Sequence, residues 1–238
     1  MTDTSEPDLI AESRKLCGQL ADRLPSDFAL TGDAWFISPS GNSVASKLPS
    51  KIMSVIGSLA HRARDFGELS CELFERRKIV PAIVLTRALM ETTALLYLTQ
   101  KKMAQALEAD SIAELDEFLV KCMSGSRIDP TKPDSPNVLT VIQHLDKEAG
   151  CDRYADFYNS LCEFAHPNSL GTFYSYTQYN PDDHCLSFGE NQGMTTGNDA
   201  AFSTVFALEV IVEFYDRAVR MLPQLSELSK KLYRASSN

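Results

Sequence analysis

Several residue types and motifs on which common binding and catalytic sites depend are scarce or missing. The chain has only four histidines, and no two stand at the H-x3-H or H-E-x-x-H spacing that brings two imidazoles to one zinc ion. It has no glycine-rich phosphate loop and no G-x-S-x-G nucleophile elbow. We therefore expect no metal site, no cofactor and none of the architectures that those motifs mark.

Positive charge is also in short supply. The 23 basic residues against 32 acidic ones give a formal net charge of −9, so RNA is a partner only if the fold builds a local basic cleft. The start, MTDTSEPDLIAES, lacks the apolar core of a signal peptide, and no run approaches the roughly 18 apolar residues of a membrane span. Six cysteines without a C-x-x-C pair are typical of reduced, buried thiols. We expect a cytoplasmic protein with no membrane partner.

The apolar residues recur mainly at spacings of three and four, which predicts a mostly α fold. With 238 residues, the chain is long enough for one hydrophobic core, and we expect a single helical-bundle domain over 1–238. The ends, residues 1–6 and 235–238, are expected to be flexible, and Pro223 is expected to kink or break the last helix. The predicted helices cover residues 10–24, 49–78, 81–107, 111–123, 138–149, 151–165 and 198–234.

One segment departs from the helical pattern. TFYSYTQY and HCLSFG flank NPDD, which predicts a small β-hairpin insertion near residues 172–188. A lone hairpin is marginally stable in water, so we expect it to lie on the helices. Tyr174 and Tyr176 would share one side of its first strand, either as ligand-binding rings that stack or as the apolar face of the hairpin. Residues 31–46, rich in Ser, Gly and Pro, are predicted to form a loop.

Two charges interrupt the most apolar helix, IVPAIVLTRALMETTALLYL. Arg87 and Glu91 stand four residues apart, on a face whose other residues are apolar rather than solvated. A buried charge without a partner costs several kcal/mol, so each needs one. The pair either fixes helix packing as a mutual ion pair, lies in solvent, or borders a polar cleft in which Arg87 holds an anion and Glu91 orients it.

A second polar group is expected at the end of the helix CDRYADFYNSLCEFAH. Asn159, Glu163 and His166 recur at steps of four and three, opposite the apolar side. A carboxylate one turn before an imidazole can accept its N–H and stabilise the imidazolium, which suits a general acid or base near neutral pH. The alternative is a solvated face on which His166 only caps the helix.

Two stretches carry a resemblance. LTRALMETTALLYL followed by YNSLCEFAHPN resembles a bacterial all-α family of unknown function, with an R-x-x-x-E helix and later a tyrosine, a short spacer and His-Pro or His-Ser; the likeness spans roughly residues 50–180. The chain also distantly resembles HEPN domains, helical bundles that include metal-independent RNases, in which an arginine and a histidine share one helix at R-x4–6-H and a dimer composes the active site. No arginine stands at that spacing before His166, so Arg87 would have to serve from another helix.

These observations predict a cytosolic helical-bundle protein that takes a small ligand or a protein partner in a polar cleft, with a role in phage defence or stress regulation. Arg87, Glu91, Asn159, Glu163 and His166 would form the cleft. One alternative is a HEPN-like metal-independent RNase, with His166 as general acid or base, Glu163 orienting it and Arg87 stabilising the phosphorane charge. Another is an interaction scaffold without a site. Whether the protein is an enzyme stays open.

Two structural expectations accompany these hypotheses. The apolar residues of the last helix, among them Phe202, Phe206, Phe214 and Val219, would either complete the core or form the seam of a homodimer. The cleft and RNase hypotheses both require Arg87 and the later histidine to converge on one water-filled hollow.

Overall fold

The computed structural model describes residues 5–26, 35–37, 43–45, 47–149, 153–189 and 196–235. The predicted flexible ends lie outside this range at residues 1–4 and 236–238. The described part confirms the mostly α bundle with a small hairpin insertion. Its helices are α1 (Glu6–Arg23), α2 (Lys47–Glu75), α3 (Ile79–Glu108), α4 (Ala113–Ser124), α5 (Val138–Ala149), α6 (Tyr154–Ala165) and α7 (Thr196–Ala235), with a π-helical turn, the π-turn, at Ser169–Tyr174.

Helix α3 lies at the centre of the bundle. Its most extensive contacts are with α2 and α7, and it also touches α4, α5 and α6. Its apolar sequence suits a central position, because a helix surrounded by other helices needs apolar side chains on most of its circumference. Ile83, Leu89, Met90 and Leu96 are completely buried. Any charge on α3 must therefore find a partner on a neighbouring helix or reach a gap between helices.

The contact between α3 and α7 also contains hydroxyl groups. Thr86 and Thr204 lie 2.8 Å apart, oxygen to oxygen, and both are fully buried. The Thr93 hydroxyl lies 3.1 Å from the Leu89 carbonyl on its own helix and 3.3 Å from the Ala207 carbonyl on α7. These bonds satisfy polar atoms that the core would otherwise leave unpaired.

By length and hydropathy, α3 also meets the criterion for a membrane span. Its most apolar 18-residue window has a mean hydropathy of 1.6, and 56% of that window is buried inside the bundle. Arg87 and Glu91 interrupt this stretch, so the sequence has no uninterrupted apolar run of that length, and the expectation of no membrane partner stays a prediction. A core helix passes the same test because burial among helices and burial in lipid favour the same apolar residues.

The apolar residues of α7 contribute to the monomer's core. Phe214 is buried, and Phe206 and Val210 pack against the buried cluster, whereas Phe202 and Val219 stay partly exposed. The helix runs without interruption from Thr196 to Ala235 with Pro223 inside it, so the predicted break at that proline does not occur. A single proline removes one hydrogen bond, and the flanking turns hold the helix together.

The strands differ from prediction in two places. Within the stretch predicted as a loop, strands β1 (Trp35–Ile37) and β2 (Ser43–Ala45) pair antiparallel; the rest of that stretch lies outside the described residues. The insertion hairpin consists of β3 (Thr177–Asn180) and β4 (Cys185–Phe188), which are also antiparallel. Its first strand begins five residues later than TFYSYTQY predicts, because residues 169–176 are helical.

The hairpin also does not lie on the helices as expected. All four residues of β4 are exposed, and β3 packs on the π-turn. The segment expected to be flexible at the start of the chain included residue 6. In the structure helix α1 begins at Glu6, and the Glu6 carboxylate accepts a hydrogen bond from Arg77 at 2.9 Å.

Two glycines of α2 test how tightly the bundle is packed. A methyl group at Gly67 would lie 2.7 Å from the Cys17 sulfur of α1 and 3.1 Å from Leu208 of α7, whereas a methyl at Gly57 would meet nothing within 4 Å. We expect Gly67→Ala to lower the free energy of unfolding by about 1–3 kcal/mol through overpacking. Gly57→Ala should raise it by roughly 0.5–1 kcal/mol, because alanine is the better helix former.

Urea denaturation of both variants and the wild type provides the measurement. Gly57→Ala is the matched control, since it makes the same chemical change on the same helix. Equal effects of the two substitutions would show that α1, α2 and α7 do not meet as closely as described.

Candidate functional site

Two tyrosines attach α6 to the central helix. Tyr154 and Tyr158 are four residues apart, so both project from one face of α6, and both are buried. The Tyr154 hydroxyl donates to the Met90 carbonyl of α3 at 2.8 Å. The Tyr158 hydroxyl lies one turn further along, where α3 carries Arg87 and Glu91. Each phenol thus buries its ring and finds a partner for its oxygen.

Arg87, Tyr158 and Glu91 form a closed polar network, which we call the Arg–Tyr–Glu triad. The Tyr158 hydroxyl donates to Glu91 Oε1 at 2.7 Å and accepts from Arg87 Nε at 3.2 Å and Nη2 at 3.0 Å. Arg87 Nη2 also lies 3.2 Å from Glu91 Oε1. The mutual ion pair expected from the sequence is present, and a phenol from another helix completes it.

The electrostatics of the triad favour a neutral phenol between two charges. Burial and the hydrogen bond to the Glu91 carboxylate both raise the pKa of Tyr158 well above its usual range, despite the opposing effect of Arg87. Burial alone would lower the pKa of Arg87, but the hydrogen bond to Tyr158 and the nearby negative charge raise it. The guanidinium therefore stays charged and the phenol stays protonated at neutral pH.

The triad is not sealed. The side chains of Arg87 and Glu91 are 30% and 37% exposed, although the rest of α3 near them is mostly buried. Among the described residues, Arg87 Nη1 has no hydrogen-bond partner, and neither does Glu91 Oε2. In the described part of the chain, the network thus leaves the Nη1 group of Arg87 and one carboxylate oxygen of Glu91 without a partner, on side chains that are partly exposed.

The second predicted polar group lies on the solvent side of α6. Asn159, Glu163 and His166 are all exposed, as their spacing predicts. His166 is the residue that ends the helix; its backbone N–H donates to the Cys162 carbonyl at 3.2 Å. The expected bond between Glu163 and the imidazole is not found. Glu163 instead accepts from the Asn168 amide at 3.2 Å, since the backbone becomes extended at His166 and directs the residues that follow, Asn168 among them, out of the helix.

Asn168 organises the corner that follows. Its side-chain oxygen accepts from the Gly171 backbone N–H at 2.9 Å, while its amide reaches back to Glu163. This capping begins the π-turn against the end of α6. A methyl group at Gly171 would lie 2.5 Å from the Phe164 carbonyl oxygen and closer still to the His166 carbonyl, so the turn requires glycine there.

Tyr174 and Tyr176, predicted on one side of a strand, lie instead in the helical segment before β3. Tyr174 ends the π-turn and is exposed, and Tyr176 is half-buried. The two rings therefore do not form the stacking row that strand geometry would produce. Their role in ligand binding stays a prediction.

Arg87 contacts α6 and His166 ends α6, but the two side chains are not in contact. Arg87 meets α6 at Tyr158, and His166 follows eight residues later, about 12 Å along the helix axis at 1.5 Å per residue. Within the described residues, no hydrogen bond or ion pair joins the two side chains. A ligand that touched both would have to extend along α6.

Two hollows lie away from the triad. One of about 480 Å³ lies between α3 and α4 and is bridged by Lys102 and Glu114 at 3.1 Å; one of about 410 Å³ lies between α1 and the end of α2, beside Arg77. Neither is lined by a residue predicted for the site. In the part of the chain that the structure describes, no group of three His, Cys, Asp or Glu side chains could hold a metal ion.

Comparison of the chain with family models, with curated proteins and with solved structures finds no match. The function is therefore argued from the geometry of this chain. The resemblances drawn from the two sequence stretches stay predictions.

Sequence reasoning did not assign a polar role to Tyr158. It placed this residue on the apolar side of α6, which is correct for the ring but leaves the hydroxyl out. Two signals pointed to it: a charged pair in an apolar helix needs a partner, and a buried phenol needs one as well. Which tyrosine meets which charge depends on how α6 packs on α3.

Removal of one hydroxyl tests the triad. We expect Tyr158→Phe to lower the free energy of unfolding by about 1–2 kcal/mol at neutral pH, because two half-buried charges lose their shared partner. The pKa of Tyr158 is higher in the folded protein than its unfolded value of 10.0. The contribution of this phenol to the free energy of unfolding is therefore fully present below pH 10.0 and is lost as the pH rises through the folded pKa. The wild type should therefore lose stability above about pH 10 more steeply than Tyr158→Phe.

Denaturation at a series of pH values measures both effects. Tyr215→Phe is the comparison, since burial also raises the pKa of that phenol but its hydroxyl lies on α7 and makes no hydrogen bond to Glu91, so we expect it to flatten the pH profile less. A flattening in Tyr215→Phe as large as that in Tyr158→Phe would contradict a specific contribution of the triad.

Gly171→Ala tests the corner. The added methyl would collide with two carbonyl oxygens, so either the π-turn or the end of α6 must shift. We expect a loss of about 1–3 kcal/mol in the free energy of unfolding and a displaced His166 ring resonance in the NMR spectrum. Ser169→Ala, at an exposed position of the same turn, should change neither quantity; an unperturbed Gly171→Ala protein would contradict the close approach.

Proposed function

We propose that this protein is a binding protein which holds a small anionic ligand, or an acidic group of a partner, at the Arg–Tyr–Glu triad. The observation that carries the proposal is the partly exposed guanidinium of Arg87, with donors left over, on a helix that is otherwise built for burial. A charge kept in such a place costs stability unless it is well paired.

The two partners of Arg87 hold its guanidinium in one orientation. Tyr158 binds Nε and Nη2, and Glu91 lies beside Nη2, so the Nη1 group remains for a ligand. The N–H groups of Nη1 can donate charge-assisted hydrogen bonds to an oxygen of a carboxylate or a phosphate. A guanidinium that is already oriented loses less conformational freedom on binding, which favours affinity.

Several features support a small ligand rather than a polyanion. Glu91 stands beside Arg87 and partly offsets its charge, and the chain as a whole carries −9. A nucleic acid would meet repulsion over most of this surface. Asn159, Glu163 and His166 lie further along α6 and would contact only the distal part of a longer ligand or a partner protein.

The RNase alternative receives less support from this geometry. An RNase would need a guanidinium and a histidine close to the same phosphate. Here Arg87 meets α6 at Tyr158, whereas His166 follows eight residues later, about two turns along that helix. A role in phage defence or stress regulation is compatible with a binding protein and stays a prediction.

Titration with acetate and with inorganic phosphate, followed by NMR at the Arg87 side-chain N–H resonances, tests the proposal. We expect saturable shifts in the wild type and their loss in Arg87→Ala, with weaker binding in Arg87→Lys because a lysine lacks the planar donor pair. Arg153→Ala is the matched control: this exposed arginine lies at the start of α6, the helix that carries Tyr158, with its guanidinium over the Phe157 ring, and its removal should leave binding unchanged.

Two results would overturn the proposal. Wild-type resonances that do not move with either anion would exclude the site, and an Arg87→Ala protein that merely unfolds would make the pair a packing device. Circular dichroism of each variant separates loss of binding from loss of fold.

RNA is tested separately. We expect single-stranded RNA to remain intact when it is incubated with the purified protein in EDTA between pH 5 and 8. Cleavage that survives EDTA and disappears in His166→Ala would replace the binding proposal with a metal-independent RNase.

A further inference from the structure

An apolar strip of α3 lies open beside Arg87. Val84 precedes Arg87 by three residues and Ala88 by four, and residues at these spacings are neighbours on a helix surface. Val84 is 44% exposed and Ala88 is half-buried, although α3 is mostly buried near them. The oriented guanidinium of Arg87 therefore has apolar surface directly next to it.

The neighbouring helix α2 supplies a second apolar row. Arg62 Nε donates to Thr92 Oγ1 of α3 at 3.3 Å, which fixes the level at which the two helices meet. Because only residues 76–78 join α2 to α3, the two helices pack as an antiparallel hairpin, and steps of seven residues away from this contact stay level. Leu69 thus lies within one residue of the level of Val84. Leu69 is 46% exposed and stands two helical turns from Arg62 on the same face.

The two rows border a groove, which we call the α2–α3 groove. Phe66 and Leu69 lie on its α2 side, and Val84 and Ala88 lie on its α3 side. Arg62 marks one end, since its guanidinium carbon lies 4.4 Å from the centre of the Phe66 ring. The described residues leave Leu69 and Val84 nearly half exposed, so apolar surface remains open along the groove.

We propose that the ligand of the Arg87 site is a small carboxylic acid with an apolar body. Its carboxylate binds Arg87, and its apolar chain lies on Val84 and Leu69 in the α2–α3 groove. This inference rests on the proposed function of the Arg–Tyr–Glu triad and adds the class of ligand. Ligand sites commonly combine apolar lining with a few polar groups that fix orientation, and the groove and Arg87 offer these two parts.

The charges around the groove favour this orientation of the ligand. Asp65 and Glu72 are exposed on α2, four residues before Leu69 and three residues after it, so they repel an anionic group at that end. The carboxylate is left with Arg87 at the other side. Because Glu91 lies 3.2 Å from Arg87 Nη2, a singly charged carboxylate meets less repulsion there than a doubly charged phosphate ester.

Titration of the wild type with acetate and with hexanoate tests the proposal. A buried methylene group contributes about fourfold in affinity, so half-burial of the four extra methylenes of hexanoate gives roughly fifteenfold. We expect hexanoate to bind at least about tenfold more tightly than acetate. Both acids should shift the Arg87 side-chain N–H resonances, and only hexanoate should shift the methyl resonances of Val84 and Leu69.

Substitutions in the groove locate the chain of the ligand. Val84→Ser and Leu69→Ser each remove apolar surface at a partly exposed position, and in either variant the advantage of hexanoate over acetate should fall to about threefold or less. Val219→Ser is the matched control, because Val219 is 38% exposed but lies on α7, and the advantage should persist there.

The possible failures are distinguishable. Absence of shifts at Arg87 with either acid would overturn the Arg87 site itself, and this inference with it. Saturable acetate binding without any advantage for hexanoate would overturn only the apolar groove, and so would an advantage that survives both serine substitutions.

Two further probes test the class of the ligand. Hexyl phosphate carries the same chain on a doubly charged group, and tighter binding than hexanoate would overturn the choice of a carboxylate. N-acetyl-glycyl-leucine presents its carboxylate beside an apolar side chain, as the C-terminus of a protein does. Tighter binding of this peptide than of hexanoate would overturn the small acid in favour of a partner's C-terminus.

Discussion

A charged pair placed in the most apolar helix imposes the constraint on which the α3–α6 region depends. Arg87 and Glu91 are only 30% and 37% exposed, so each charge needs a partner within the bundle. The structure satisfies them with the phenol of Tyr158, which donates to one and accepts from the other. Helix α6 must therefore pack with this residue directly over the pair, and Tyr154 one turn earlier reinforces the same placement.

That placement decides where the other polar residues point. Once Tyr154 and Tyr158 face α3, the geometry of a helix directs Asn159 and Glu163 to solvent. The helix then ends at His166, and Asn168 bonds both Glu163 and the Gly171 N–H, which begins the π-turn. The β3–β4 hairpin comes next in the chain after the π-turn. The π-turn and the hairpin thus continue directly from the helix that carries Tyr158.

The proposed Arg87 site depends on a charge that is held in place by a phenol and a carboxylate. Salt, which screens the charge of a partly exposed guanidinium, and loss of the phenol's proton should therefore both affect it.

The sequence alone determined the fold class and most helices, because apolar residues at spacings of three and four can be buried in few other ways. It also identified Arg87 and Glu91, since a charge in an apolar helix is conspicuous without any structure. It did not foresee the helical start of the insertion: Ser169–Tyr174 has the aromatic residues of a strand, but capping by Asn168 and the close approach at Gly171 stabilise a π-turn.

Only the tertiary structure decided which groups meet. Tyr158 joined the charged pair through the packing angle of α6 on α3, and Glu163 turned to Asn168 instead of His166 because the backbone becomes extended at the helix end. No described part of the chain covers the hairpin side chains of Tyr179, Leu186 and Phe188, for a similar reason: alternation fixes which side chains share a face, whereas the path of the chain fixes what that face meets. Local patterns record the preferences of single elements, and contacts between elements depend on how those elements are placed.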